Sequence, residues 1–218
     1  MNDRTRATYS GGFTLIELLV VISIIGILAG LSAWGVMKAK TKGKEGAVKQ
    51  NLTSLVASIE QYLTETGDYP PSSISLWGIK GNEINEGIET LLAALQTRKH
   101  GGPFLGDLDP DQRSNTDDDK LLPADLKKLE SKIDWVRQNP LLFEYRDLWG
   151  NPIVYIHSRD YPRTLRVERH DGSIVEVRAA KDPQTSGYYK PTEYQLFSLG
   201  ENENFDGGEG DDICHWKS

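Results

Sequence analysis

The chain has 218 residues, 38% of them hydrophobic, and its 25 Lys plus Arg against 32 Asp plus Glu give a formal net charge of −7. These averages describe an acidic chain of one or two domains and exclude collagen-like, disulfide-scaffold and multi-span membrane classes. An acidic balance makes a poor binder of nucleic acid, whose phosphates demand Lys and Arg, and the single cysteine, Cys214, excludes an intrachain disulfide and a Cys-rich zinc site.

The first predicted element is residues 13–34, FTLIELLVVISIIGILAGLSAW, where Glu17 is the only charge. As a helix it is roughly 33 Å long, matching a hydrocarbon core of about 30 Å, so it reads as one membrane span. A core helix of a soluble protein would show a polar face. A secretory signal would show a shorter apolar run and a small-residue cleavage site. No proline occurs between Met1 and Tyr69, so the helix is expected to continue past the span. Val48, Leu52, Leu55, Val56, Ile59, Tyr62 and Leu63 recur at helical spacing and mark one apolar stripe. Thr66-Gly67-Asp68 and the following Pro70-Pro71 form a stop signal, which gives about 80 Å of helix from Phe13 to Thr66. Glu17 stands out. A carboxylate in hydrocarbon costs about 2.5–3.5 kcal/mol, so it either serves a function or sits near enough to the helix end to reach headgroup water.

Further along, Glu86–Arg98 carries Ile88, Leu91, Leu92 and Leu95 at helical spacing. Asp107–Asp119 reads as a polar loop. Its Asp107, Asp109 and Asp111 mimic the opening of a calcium loop, but Gln112 stands where glycine is needed and Asp118 where glutamate is. Pro123–Gln138 has Leu126, Leu129, Ile133 and Val136 at helical spacing. Both helices are expected to cover one edge of a sheet. Strands are predicted at Pro152–Ser158 and Tyr194–Leu199, with a hairpin over Arg163–Ala179. A three-residue loop, His170-Asp171-Gly172, sets Val167 opposite Val175, Leu165 opposite Val177 and Arg166 beside Glu176. The expected class is α+β: a long helix packed on a small antiparallel sheet with extra helices.

The chain closes on an acidic, glycine-rich segment, 200–218, with Glu201, Glu203, Asp206, Glu209, Asp211 and Asp212 against Lys217 alone. Composition fits a solvated tail. It also fits a hard cation, which wants six to eight oxygens, with Gly207, Gly208 and Gly210 letting the backbone curl. The four histidines are scattered without metal spacing, and there is no nucleotide-binding or hydrolase fingerprint, so no enzyme is expected.

Three segments carry a resemblance. Gly11-Gly12-Phe13-Thr14-Leu15-Ile16-Glu17, opening an apolar helix after a short polar leader, resembles the prepilin cleavage and methylation motif of the type IV filament superfamily of pilins and pseudopilins. Asp147-Leu148-Trp149-Gly150-Asn151-Pro152, and Tyr194–Gly200 followed by the acidic segment and Trp216, resemble the major pseudopilins of type II secretion. The resemblance implies a pilin-like fold, cleavage between Gly12 and Phe13 by a prepilin peptidase, and N-methylation of Phe13. It assigns 1–12 to a leader, 13–34 to the transmembrane half of the helix, 35–66 to its amphipathic half and 67–218 to a periplasmic domain. Glu17 would serve assembly, as the opposite charge for a buried amino terminus of a neighbouring subunit. The acidic loop would bind calcium through the Leu199 carbonyl, Asn202, Asp206, Asp211 and Asp212, and calcium would then raise thermal stability. Implied partners are further copies and other pseudopilins joined through N-terminal helices, the peptidase, and a membrane platform with its ATPase. The implied place is the bacterial inner membrane, single-pass, with the body in the periplasm. A role as a type IV pilin or minor pilin in surface binding is the alternative.

The family's usual proline is replaced by Trp34, and the chain is longer around 105–140 and 160–190. Charge counting runs against the implied topology, because Arg4 and Arg6 precede the span while Lys38, Lys40, Lys42 and Lys44 follow it. The leader motif overrides it, since its peptidase is cytoplasmic.

Overall fold

A computed structural model of the chain describes residues 13–106, 109–130, 132–134 and 140–217. The chain divides into two compact units at Gly43 and Lys44. In the first unit, α1 (Leu15–Thr66) begins, and it runs unbroken through position 34. Its leading residues are apolar on every side: Leu15, Leu18, Val21, Ile22, Ile25 and Leu28 are all exposed. Among the described residues, α1 is the one helix long and apolar enough to cross a membrane.

In the second unit, the predicted stripe of α1 is the core. Val48, Leu52, Leu55 and Ile59 are 0–2% exposed and pack with Leu91, Leu92, Tyr155, Tyr194 and Leu196. The helix ends where Gly67, at φ +81°, donates its N–H to the Leu63 carbonyl at 2.8 Å. Next, α2 (Glu86–Leu95) is buried along its whole length and lies on β2 (Glu144–Tyr145) and β3 (Val154–His157). Its other side meets Ile74, Leu121, Leu129, Ile133 and Leu142 through Ala93.

Among the described residues, the expected single sheet is instead three small antiparallel ones. β1 (Arg113–Ser114) pairs β2; β4 (Leu165–Glu168) pairs β5 (Ile174–Val177); β6 (Tyr194–Ser198) lies between β3 and β7 (Ile213–Cys214). The hairpin register is the expected one, Leu165 with Val177, Arg166 with Glu176 and Val167 with Val175. Gly172, at φ +81°, closes its three-residue loop.

Three boundaries differ from expectation. α2 stops at Leu95, because Asp134 Oδ1 accepts hydrogen bonds from Arg98 N and Thr97 Oγ1 and turns the chain. The helix expected over 123–138 is α3 (Pro123–Leu129), after which Lys132 N and Ile133 N both donate to the Leu129 carbonyl and Ile133 turns into the core. Val136 lies outside the described residues. Instead of covering a sheet edge, α3 sends Leu129 into the cluster beside α2. Finally, part of the polar loop is ordered by the core. Gln112 is buried and its Oε1 accepts from Asn51 Nδ2 at 3.2 Å and from the Tyr145 hydroxyl.

Candidate functional sites

The N-terminal motif is a helix start. Thr14 precedes α1, and its backbone N–H and hydroxyl both donate to Glu17 Oε2 at 2.8 Å, while Glu17 N donates back to Thr14 Oγ1 at 3.3 Å. This reciprocal arrangement is a capping box. The Thr-x-x-Glu spacing is the sequence signature of this cap, and the apolar run that surrounds it masks the signal. Phe13, Ile16, Glu17, Val20 and Val21 line one shallow apolar groove, and Phe13 is 82% exposed. The leader, with Gly12, Arg4 and Arg6, lies outside the described residues.

The second site lies in the other unit. Asp147 opens the Asp-Leu-Trp-Gly-Asn-Pro turn and is buried. Its Oδ1 accepts from the backbone N–H groups of Trp149, Gly150 and Asn151 at 2.9–3.0 Å, and its Oδ2 accepts from Ser198 Oγ at 2.6 Å. One carboxylate thus closes the turn and ties it to the end of β6. Burial pushes its pKa up, against those four hydrogen bonds.

Beyond β6 the acidic segment folds back rather than hanging free. Phe205 and Trp216 pack on the core with Phe197 and Leu199, and Asp212 is 8% exposed. The structure brings four of the five sequence-assigned residues together. Asn202 N donates to Asp211 Oδ2 at 2.7 Å, Asn202 Nδ2 to Asp206 Oδ2 at 2.8 Å, and Asp206 N to Asp212 Oδ2 at 3.0 Å. Gly208 N also donates to Asp212 Oδ2, at 2.8 Å. Gly200, Gly207, Gly208 and Gly210 all adopt positive φ, as the tight curl requires. Asn202 shows Asp206 its N–H, while its Oδ1 accepts from Asn204 N at 2.7 Å. The side chain of Leu199 is fully buried.

The donor set suits a hard cation. Asp211 Oδ1 and Asp212 Oδ1 are buried with no hydrogen-bond partner. A Cβ on Gly200 would sit 2.3 Å from the Asp211 carbonyl oxygen and 2.8 Å from Asp211 Oδ2, so glycine at 200 permits the close approach of the two ends of the loop. Burial pushes the Asp212 carboxyl up to about 6.

The other sequence candidates lead nowhere. Asp109 and Asp111 are exposed and Asp107 lies outside the described residues. His157 is buried in β3, its Nδ1 accepting from Arg159 N at 3.1 Å. Cys214 is buried and its thiol is pushed up to about 12, chiefly by burial.

Comparison with known proteins bears on the first site directly. Residues 8–33 match the model of the prokaryotic N-terminal methylation motif. Over the matched segments the chain is similar to a type IV pilin and to core proteins of type II secretion systems. It is 38% identical over 58 residues to the type IV major pilin protein PilA of Myxococcus xanthus, covering 27% of this chain and 26% of that protein. It is 29% identical over 89 residues to the type II secretion system core protein G of Klebsiella pneumoniae, 41% of this chain and 55% of that one. The corresponding protein of Pseudomonas aeruginosa is 35% identical over 65 residues, 30% of this chain and 46% of its own. The chain thus spans between a quarter and about half of the length of these relatives. No solved structure matches it. The matched proteins are structural subunits, and the motif with its apolar helix indicates membrane anchoring.

Proposed function

We propose that this pilin-like chain is a subunit of a type II secretion pseudopilus. A prepilin peptidase cuts between Gly12 and Phe13 and the new amino group of Phe13 is methylated. Copies anchored singly in the inner membrane, bodies in the periplasm, then join other pseudopilins through their N-terminal helices in a filament that pushes folded proteins outward. A platform protein and an ATPase supply the work. Glu17 has a reason to be in the apolar run, because a positive amino terminus buried among packed helices needs an opposite charge. In the isolated chain the same carboxylate caps α1, so assembly would redirect it from Thr14 to a neighbour. The acidic loop holds calcium through Asp211 and Asp212, with the Leu199 carbonyl, Asp206 and Asn202 completing or positioning the shell.

The observation that carries the secretion reading is the Asp147–Ser198 hydrogen bond. It joins the two segments that resemble secretion pseudopilins, the Trp-Gly-Asn-Pro turn and the closing strand. The match to a type IV major pilin favours the second reading, a surface pilin or minor pilin. Deleting the gene separates them. Loss of secreted proteins, restored by the wild-type chain but not by Glu17→Ala, is expected. Intact secretion with a lost surface fibre would favour the pilin.

A further inference from the structure

A second acidic constellation lies apart from the C-terminal loop. Glu89, on α2, is 2% exposed, yet its Oε1 has no hydrogen-bond partner. Carboxylate oxygens of Glu89, Asp117 and Glu144 all lie within 4.8 Å of one another. The three residues come from α2, from the loop after β1 and from β2.

Two of the three are held in place from outside the cluster. Glu144 is fully buried, its Oε1 accepting from Asn85 Nδ2 at 3.1 Å and Thr116 N at 3.0 Å, and its Oε2 from Ser114 Oγ at 2.9 Å. Asp117 Oδ2 accepts from Asn82 Nδ2, leaving Oδ1 buried and unpartnered, and Asp119 Oδ1 is unpartnered in the same way. The fold thus spends hydrogen-bond donors to aim like charges at one another. Such an arrangement is costly unless something positive sits between them.

We propose that Glu89, Asp117 and Glu144 bind a divalent cation of the calcium class, pinning the loop after β1 to α2 and β2. The donors are all oxygen, with no histidine or cysteine in the set, which disfavours zinc. Calcium oxygens at 2.3–2.6 Å place opposite ligands up to about 5 Å apart, a span that accommodates the observed limit. Magnesium keeps most of its water shell, which a trio with two buried members serves poorly. The electrostatics run the same way. Burial, reinforced by Asp119, Asp117, Glu144 and Glu86, pushes Glu89 well above the carboxylate range, and Asp119 rises to about 7. A bound cation would reverse that.

The site is independent of the calcium assigned to the acidic loop, so the test counts ions. The full chain in detergent micelles, stripped by chelator, is titrated with calcium chloride by calorimetry. Three forms are compared: unaltered, Glu89→Gln with Asp117→Asn, and Asp211→Asn with Asp212→Asn. The first variant is expected to bind one calcium fewer than the unaltered chain, whatever the acidic loop does. The second is expected to retain at least one. Equal counts in the unaltered chain and the first variant would overturn the proposal and leave Glu89 neutralised by a proton. Should the first variant fail to fold, the second decides alone: no calcium bound by it would equally overturn the proposal.

Discussion

Asp147 concentrates more structure than any other side chain of its turn. Replacing it with alanine strands three backbone N–H groups and the Ser198 hydroxyl. Leaving a buried donor unsatisfied costs about 1–3 kcal/mol, and several are left here, so Asp147→Ala should lower the denaturant midpoint steeply. His215 provides a pH signature. Its ring stacks on Tyr194 at 4.9 Å, and burial holds its pKa down to about 4. The unfolded chain takes up that proton near pH 6.5, so His215's contribution is complete above about 6.5 and is lost as pH falls towards 4. The size is at most about 3 kcal/mol. The stability difference between wild type and His215→Phe should shrink over that interval, and a pH-independent difference would contradict the account. Titration of the buried carboxylates is common to both proteins and cancels.

Among the elements, α2 is the most constrained. A Cβ on Gly87 would lie 2.2 Å from the Tyr155 carbonyl oxygen, so glycine permits the close approach of α2 to β3. Gly87→Ala must push the helix off the sheet, at a cost of about 1–3 kcal/mol or more. Gly46, in α1 with open space around it, is the control. Gly46→Ala should stabilise by roughly 0.5–1 kcal/mol through helix propensity alone, and thermal melts of the two variants should move in opposite directions. The elements that were legible in the sequence are those whose periodicity serves a single face. The stripe from Val48 to Ile59 and the alternation flanking His170-Asp171-Gly172 both reached the structure unchanged. β1, β2 and β7 were not legible, because two-residue strands have no alternation to read. The end of α3 was hidden because Ile133 and Val136 continue its period, while the turn depends on a carbonyl being shared by two N–H groups. The acidic loop was visible because its carboxylates are neighbours in sequence. Glu89, Asp117 and Glu144 are not, and only the fold brings them together.

For the whole molecule, the acidic average of the composition is misleading. The opening run of α1 is almost uncharged and exposed, a basic stretch follows it, and the surplus of negative charge gathers at the C-terminus. Such a distribution suits a chain whose first part meets lipid or other helices and whose remainder folds in water. Both readings of function rest on one covalent event at the start of that run, and it can be observed directly. Mass spectrometry of the N-terminus of the chain purified from its native membrane should find an N-methylated Phe13 with residues 1–12 gone, while a chain still beginning at Met1 would contradict the account.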